Sequence, residues 1–201
     1  MYYASIGIIA LIVHLIINYE ALRKVENTSE NFVRLKYRHY LLALLLYYCT
    51  DAMWGLLYEA GFINATYIDT CLFFFAMALS VLFWTKTVVV FTGNKGRSGK
   101  ILVGAGWLIF AFQLIVLVIN IFVPVVFTFD ADKEYIALPT RYVVLFMQMI
   151  LFCAVAVSAI ITALRSEGDQ RSHYRTVGFS SIIMAVFIAM QMGFPLKPLY
   201  S

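Results

Sequence analysis

Apolar positions in this chain neither alternate nor recur at helical spacing. They fill six long runs, near residues 2–19, 41–62, 66–91, 101–127, 142–164 and 177–194. Stretches such as LLALLL, CLFFFAMALSVLFW and FQLIVLVINIFV are apolar on every side, the pattern of a helix with lipid or protein all round it. A membrane β-barrel needs shorter segments with strict in-and-out alternation. Each run approaches or exceeds the roughly 20 residues of helix that span a bilayer, and inside lipid a helix satisfies its own backbone. The pattern therefore predicts an all-α, polytopic transmembrane bundle of six spans, forming a single transmembrane domain over residues 1–201. The first run is read as a retained helix, since neither a basic leader nor a small-x-small cleavage site accompanies it.

Composition sharpens this reading. Apolar residues make up 63% of the chain and charged residues 13%, a balance outside the range of soluble domains. The basic residues are sorted by gap. Arg23, Lys24, Arg34, Lys36 and Arg38 follow span one, Lys86, Lys95, Arg97 and Lys100 surround the end of span three, and Arg165, Arg171 and Arg175 follow span five. Only Lys133, Arg141 and Lys197 fall elsewhere, beside Glu59, Asp69, Asp130, Asp132 and Glu134. Positive residues stay in the cytoplasm, so the N-terminus is placed outside. Topology accounts for the net charge of +4, and no nucleic-acid partner is inferred from it.

Local motifs add little chemistry. Cys49, Cys71 and Cys153 all fall in spans and read as packing residues. The triplets at Asn27 and Asn64 match a glycosylation pattern by chance, one being cytoplasmic and the other crowded against the membrane. The loop GNKGRSGKI, residues 93–101, fails as a phosphate-binding loop because Asn94 and Ile101 occupy its Gly and Ser/Thr positions. No cofactor or metal site is read, and no catalytic motif.

Polar residues inside the spans carry the information, because they are costly there. Asp51 sits about midway along span two, and a carboxylate in that position costs on the order of 3 kcal/mol to insert. At helical spacing, Tyr47, Tyr48, Trp54, Gly55 and Tyr58 share its face. Two readings stand: a ligand pocket lined by aromatic groups with polar tips, or a carboxyl bonded to a neighbouring helix to fix packing. Lys86 on span three is the nearest basic group by depth, either a partner for Asp51 or a side chain snorkelling to the inner interface. His14, one turn from Asn18, is a pH-sensing or ligand candidate or an interfacial histidine bonded to a neighbour. Gln113, Asn120, Gln148 and Gln191 are expected to bond between helices.

Small residues predict close helix packing. Span six carries Ser181, Ala185, Ala189 and Gly193 at four-residue steps, and span five carries Ala154, Ser158 and Thr162. Gln191 points away from the first ridge, so span six is expected to be packed on two sides, with the bundle continuing beyond Ser201. The segments 20–40 and 128–141 read as connectors, the former suited to an interfacial helix. Pro195 and Pro198 mark a helix-ending turn.

The segments YYASIGIIALIVHLIIN, YYCTDAMWGLLYEAG and DTCLFFFAMALSVLFWTKTVVVF, with the ending QMGFPLKPLYS, resemble the multi-pass N-terminal sensory region of bacterial GGDEF-type (diguanylate cyclase) signalling proteins. Asp51, Trp54, Gly55 and Tyr58 form the polar signature D-x-x-W-G-x-x-Y within that resemblance. It implies a bacterial inner-membrane sensor, not itself an enzyme, that binds a small-molecule ligand and passes its state through a seventh helix to a cytoplasmic effector. No GGDEF sequence occurs in the chain, so no catalytic residue is carried over. The alternative is a small transporter with Asp51 as its coupling carboxylate.

Overall fold

The computed structural model describes residues 2–23 and 32–193, with Asn27 and the Pro195–Pro198 turn outside them. Among the described residues the chain is all-α apart from one hairpin: α1 (Tyr2–Ile17), α2 (Tyr19–Leu22), α3 (Phe32–Glu59), α4 (Ile63–Phe91), α5 (Arg97–Phe122), β1 (Phe127–Phe129), β2 (Tyr135–Ala137), α6 (Pro139–Leu164) and α7 (Gly168–Gly193). Five of the helices, α3 to α7, are long and apolar enough to cross a membrane. The first predicted span is shorter than expected. At 1.5 Å per residue α1 is about 24 Å long, against a hydrocarbon thickness of about 30 Å. The chain packs as two compact units, Met1–Trp84 and Thr85–Ser201, and α4 contributes to both.

The long helices start earlier than hydropathy indicates. Span two, expected from residue 41, begins at Phe32, and span six, expected from 177, begins at Gly168. Charged first turns are compatible with helix, so the apolar run marks the lipid-embedded part and leaves the helix ends unseen. The early basic turns of α3 also act as caps. Arg34 Nη2 donates to the carbonyl of Glu20 at 2.9 Å and Arg38 Nε to that of Leu22 at 2.9 Å, satisfying C-terminal carbonyls of α2 that lack helical partners. The connector 20–40 is correspondingly shorter than predicted.

In the first unit, α1 packs on α3. The approach is close at Gly7, where an added Cβ would lie 3.0 Å from both the Ala52 Cα and the Asp51 carboxylate. Helices α3 and α4 are joined at several levels by aromatic side chains: Tyr40 with Trp84 at 5.0 Å, His39 with Phe83 at 5.8 Å and Tyr47 with Phe73 at 4.8 Å between centroids.

In the second unit, α6 and α7 form the most extensive helix pair. Gly178, Ser181, Ala185 and Ile188 are the buried face of α7, and Gly178 sits so near Ile160 that an added Cβ would be 2.8 Å from its Cγ1. The predicted ridge of α7 is thus only half used, for Ala189 and Gly193 are exposed. Two-sided packing of this helix is also not found, since Phe179, Ile183 and Phe187 are exposed among the described residues. On α6 the packed face is Val155, Ala156, Ala159 and Ala163. The predicted stripe Ala154, Ser158, Thr162 instead lines a groove.

The connector 128–141 contains a structure that the sequence reading missed. Strands β1 and β2 pair antiparallel, Phe127 opposite Ala137 and Phe129 opposite Tyr135, with Lys133 in the left-handed region at φ 66°. Asp130 Oδ1 accepts the Glu134 amide at 2.8 Å. Asn120, expected to bond between helices, holds this hairpin. Its Oδ1 accepts the amides of Val125, Val126 and Phe127 at 2.8, 2.7 and 3.3 Å, and its Nδ2 donates to the Phe127 carbonyl at 3.1 Å. The rings of Phe127 and Tyr135 stack at 5.8 Å, and the buried Arg141 guanidinium lies 5.9 Å from Tyr135 and 5.8 Å from Tyr142, within cation–π range.

Candidate functional site

Asp51 lies on α3 eight residues before Glu59, about 12 Å inside the helix end that the charge distribution places outside. Measured along the whole helix it is off-centre, because α3 begins at Phe32, while within the apolar run 41–62 it keeps its central position. Its carboxylate stands against Gly7 of α1. On α4, Asp69 is six residues after Ile63, about 9 Å inside the same end. It is 7% exposed, and its Oδ2 accepts no hydrogen bond among the described residues. The two carboxyls are close enough to interact electrostatically, and Asp51 acts likewise on Tyr48. Two acidic groups thus converge from α3 and α4 with the backbone of α1 beside them.

Asp69 was missed as a site residue. In sequence it reads as an outer-gap charge beside Glu59, and the segment INATYID, which opens α4, gives no hint that it is buried. The available signal was spacing. Helices α3 and α4 are antiparallel about a short connection, so residue 51, eight before the end of α3, and residue 69, six after the start of α4, fall at similar depth.

The aromatic stripe predicted around Asp51 is present, but it is engaged in packing. Trp54 Nε1 donates to Thr70 Oγ1 at 3.0 Å, and Thr70 in turn donates to the Thr66 carbonyl at 2.7 Å. Tyr58 stacks on the Trp54 indole at 4.8 Å with an interplanar angle of 11°, while Tyr47 rests on Phe73. These contacts fix the wall of the site. Trp54 is itself buried, whereas Tyr47, Asp51 and Tyr58 are half-buried.

His14 lies one layer further in. Its Nε2 meets the Leu41 carbonyl at 3.1 Å and its Nδ1 meets Asn18 Nδ2 at 3.4 Å, an arrangement that suits the neutral ring, with Nε2 donating and Nδ1 accepting. Its ring edge meets Tyr48 at 5.5 Å. This is the bonded, helix-joining histidine of the two readings offered by the sequence. Lys86 falls in the second unit, where its Nζ is 4.2 Å from the centroid of Trp107.

The remaining polar side chains behave differently from expectation. Gln113 and Gln148 are 1% and 0% exposed, yet their amide atoms make no hydrogen bond among the described residues. Cys49, Cys71 and Cys153 are free thiols within helices. No cluster of three or more His, Cys, Asp or Glu capable of holding a metal occurs among the described residues. No family model, curated protein or solved structure matches the chain.

Proposed function

We propose that the chain is the membrane-embedded sensory part of a bacterial inner-membrane signalling protein, and that the Asp51–Asp69 pair receives a small cation from the outer side. The observation that carries the reading is a buried carboxylate oxygen on Asp69 without a hydrogen bond among the described residues, within electrostatic reach of a second carboxylate on Asp51. Isolated charges are costly in lipid, and two neighbouring carboxylates repel each other. A proton or a compact cation, sodium or a small ammonium, shared between them offsets both terms. Binding would draw α3 and α4 together beside α1, a packing change that a cytoplasmic effector joined through a further span can read.

Helix continuity favours a receptor over the transporter alternative. Transporters build substrate sites at interrupted helices, whereas α3 and α4, which carry Asp51 and Asp69, are continuous. The test is the thermal stability of the detergent-solubilised protein with added methylammonium, tetramethylammonium or sodium. At least one should raise the unfolding temperature saturably in the wild type and not in Asp69→Asn. No stabilisation by any cation would remove the proposal, as would uptake of methylammonium into vesicles that carry the protein.

A further inference from the structure

A groove of about 580 Å³ runs between the inner halves of α5 and α6, in the second unit and on different helices from the carboxylate pair. Its lining is graded along the helices. At the end where α5 begins and α6 finishes stand Asn94, Ser98, Thr162, Arg165 and Ser166. Deeper along both helices the walls become Ile101, Leu102, Val157 and Ile161, with Ala154 furthest in, ten residues or about 15 Å before Leu164. The apolar walls open sideways to the bilayer, for Ile101 is 60% and Val157 56% exposed.

The polar end is built rather than incidental. Asn94 bridges the two helices, its Nδ2 donating to Ser158 Oγ at 3.2 Å and its Oδ1 accepting Ser98 Oγ at 3.0 Å. The small side chains Ala154 and Ser158, which sequence periodicity marks for helix packing, leave the floor open. Charge at this end is positive. Arg165 lines the groove, and Lys95 on the α4–α5 turn and Arg97 and Lys100 in the first turn of α5 are exposed. Helix α5 also begins here without a side-chain cap, so its first amides face the same end. Among the described residues no carboxylate lines the groove; Glu167 lies on the α6–α7 turn and Asp169 in the first turn of α7.

We infer that this groove binds one anionic phospholipid of the cytoplasmic leaflet, its phosphate at Arg165 and the start of α5 and its acyl chain along Ile101, Val157 and Ile161. A polar, basic end at the membrane surface followed by apolar walls matches a lipid along its length, and basic pockets between spans on the cytoplasmic side are where acidic headgroups bind. A free phosphate would use only the polar third.

Native mass spectrometry of the full chain in detergent, titrated with phosphatidylglycerol or with phosphatidylcholine of identical chains, tests this. The wild type should retain phosphatidylglycerol about fivefold more tightly. Arg165→Gln should abolish that preference, while Arg171→Gln, which removes an equal charge away from the groove, should keep it. Ala154→Phe should weaken both lipids by filling the deep end. The proposal fails if the two lipids bind equally, if Arg165→Gln and Arg171→Gln behave alike, or if Ala154→Phe changes nothing. It also fails if millimolar inorganic phosphate displaces the lipid, which would make the site one for free phosphate.

Discussion

Replacing Asn120 by alanine removes the side chain that organises the chain between α5 and β1. Three backbone amides lose their acceptor, and the Phe127 carbonyl loses a donor. The four losses are unequal. Val125 is half-buried, so water can replace its bond at little cost. Val126 and Phe127 are 0% exposed, and the Val126 bond is the shortest of the set at 2.7 Å. A buried polar group left without its partner costs about 1–3 kcal/mol, so two such groups place the destabilisation at about 2–6 kcal/mol, with 3–4 expected. Asn120→Asp keeps the acceptor for the three amides but sets a second carboxyl oxygen against the Phe127 carbonyl, so it should keep the Val125 and Val126 amides protected while still destabilising the fold. Unfolding in mixed detergent micelles followed by circular dichroism measures both, and amide exchange at residues 125–129 localises the effect. A loss below about 1 kcal/mol in Asn120→Ala with those amides still protected would refute the assignment of Asn120 as the organising residue.

Three further outcomes are expected. Gly178→Ala should already lower the unfolding temperature, because its Cβ would stand 2.8 Å from Cγ1 of Ile160, a β-branched side chain stiff at χ1, and Gly178→Leu should separate α7 from α6 and lower it further. Burial pushes the Tyr135 phenol up to about 12, partly opposed by the nearby Arg141. Its folded state therefore holds the proton more tightly than the unfolded chain, whose phenol titrates near 10. The stability this confers is whole below about pH 10 and lost as pH rises through 10–12, and Tyr135→Phe should flatten that part of the profile. In a background without the native cysteines, a cysteine in place of Ala131 should react with impermeant thiol reagents in intact cells, while one in place of Lys95 should not. The reverse pattern would invert the orientation.

Hydropathy made the architecture legible because lipid contact is a property of whole segments. Five of the six predicted runs are span-length helices, and Asp51 with its aromatic face stands out by cost alone. What lay hidden depends on pairing between segments. Asp69 sits in a run of mixed polarity, and only the antiparallel register of α3 and α4 reveals that it comes within electrostatic reach of Asp51. Asn120 looks like any amide in a span until the hairpin folds back on it. The stripe Ala154, Ser158, Thr162 and the ridge of α7 carry the same periodic signal, yet one lines a groove and the other packs partly against α6. Periodicity identifies a small-residue face and leaves open what lies opposite.

The carboxylate pair is tested most directly through Trp54, which borders it. With Trp84 and Trp107 replaced by phenylalanine, Trp54 becomes the single indole reporter of the site, held by Thr70 and stacked on Tyr58. Titrating this protein with methylammonium and tetramethylammonium while recording emission should give a saturable shift for at least one of them. Asp51→Asn and Asp69→Asn should each weaken the response, and the double variant should lose it. Emission that stays flat with both cations, or a response unchanged in the double variant, would contradict the claim that Asp51 and Asp69 form a cation site.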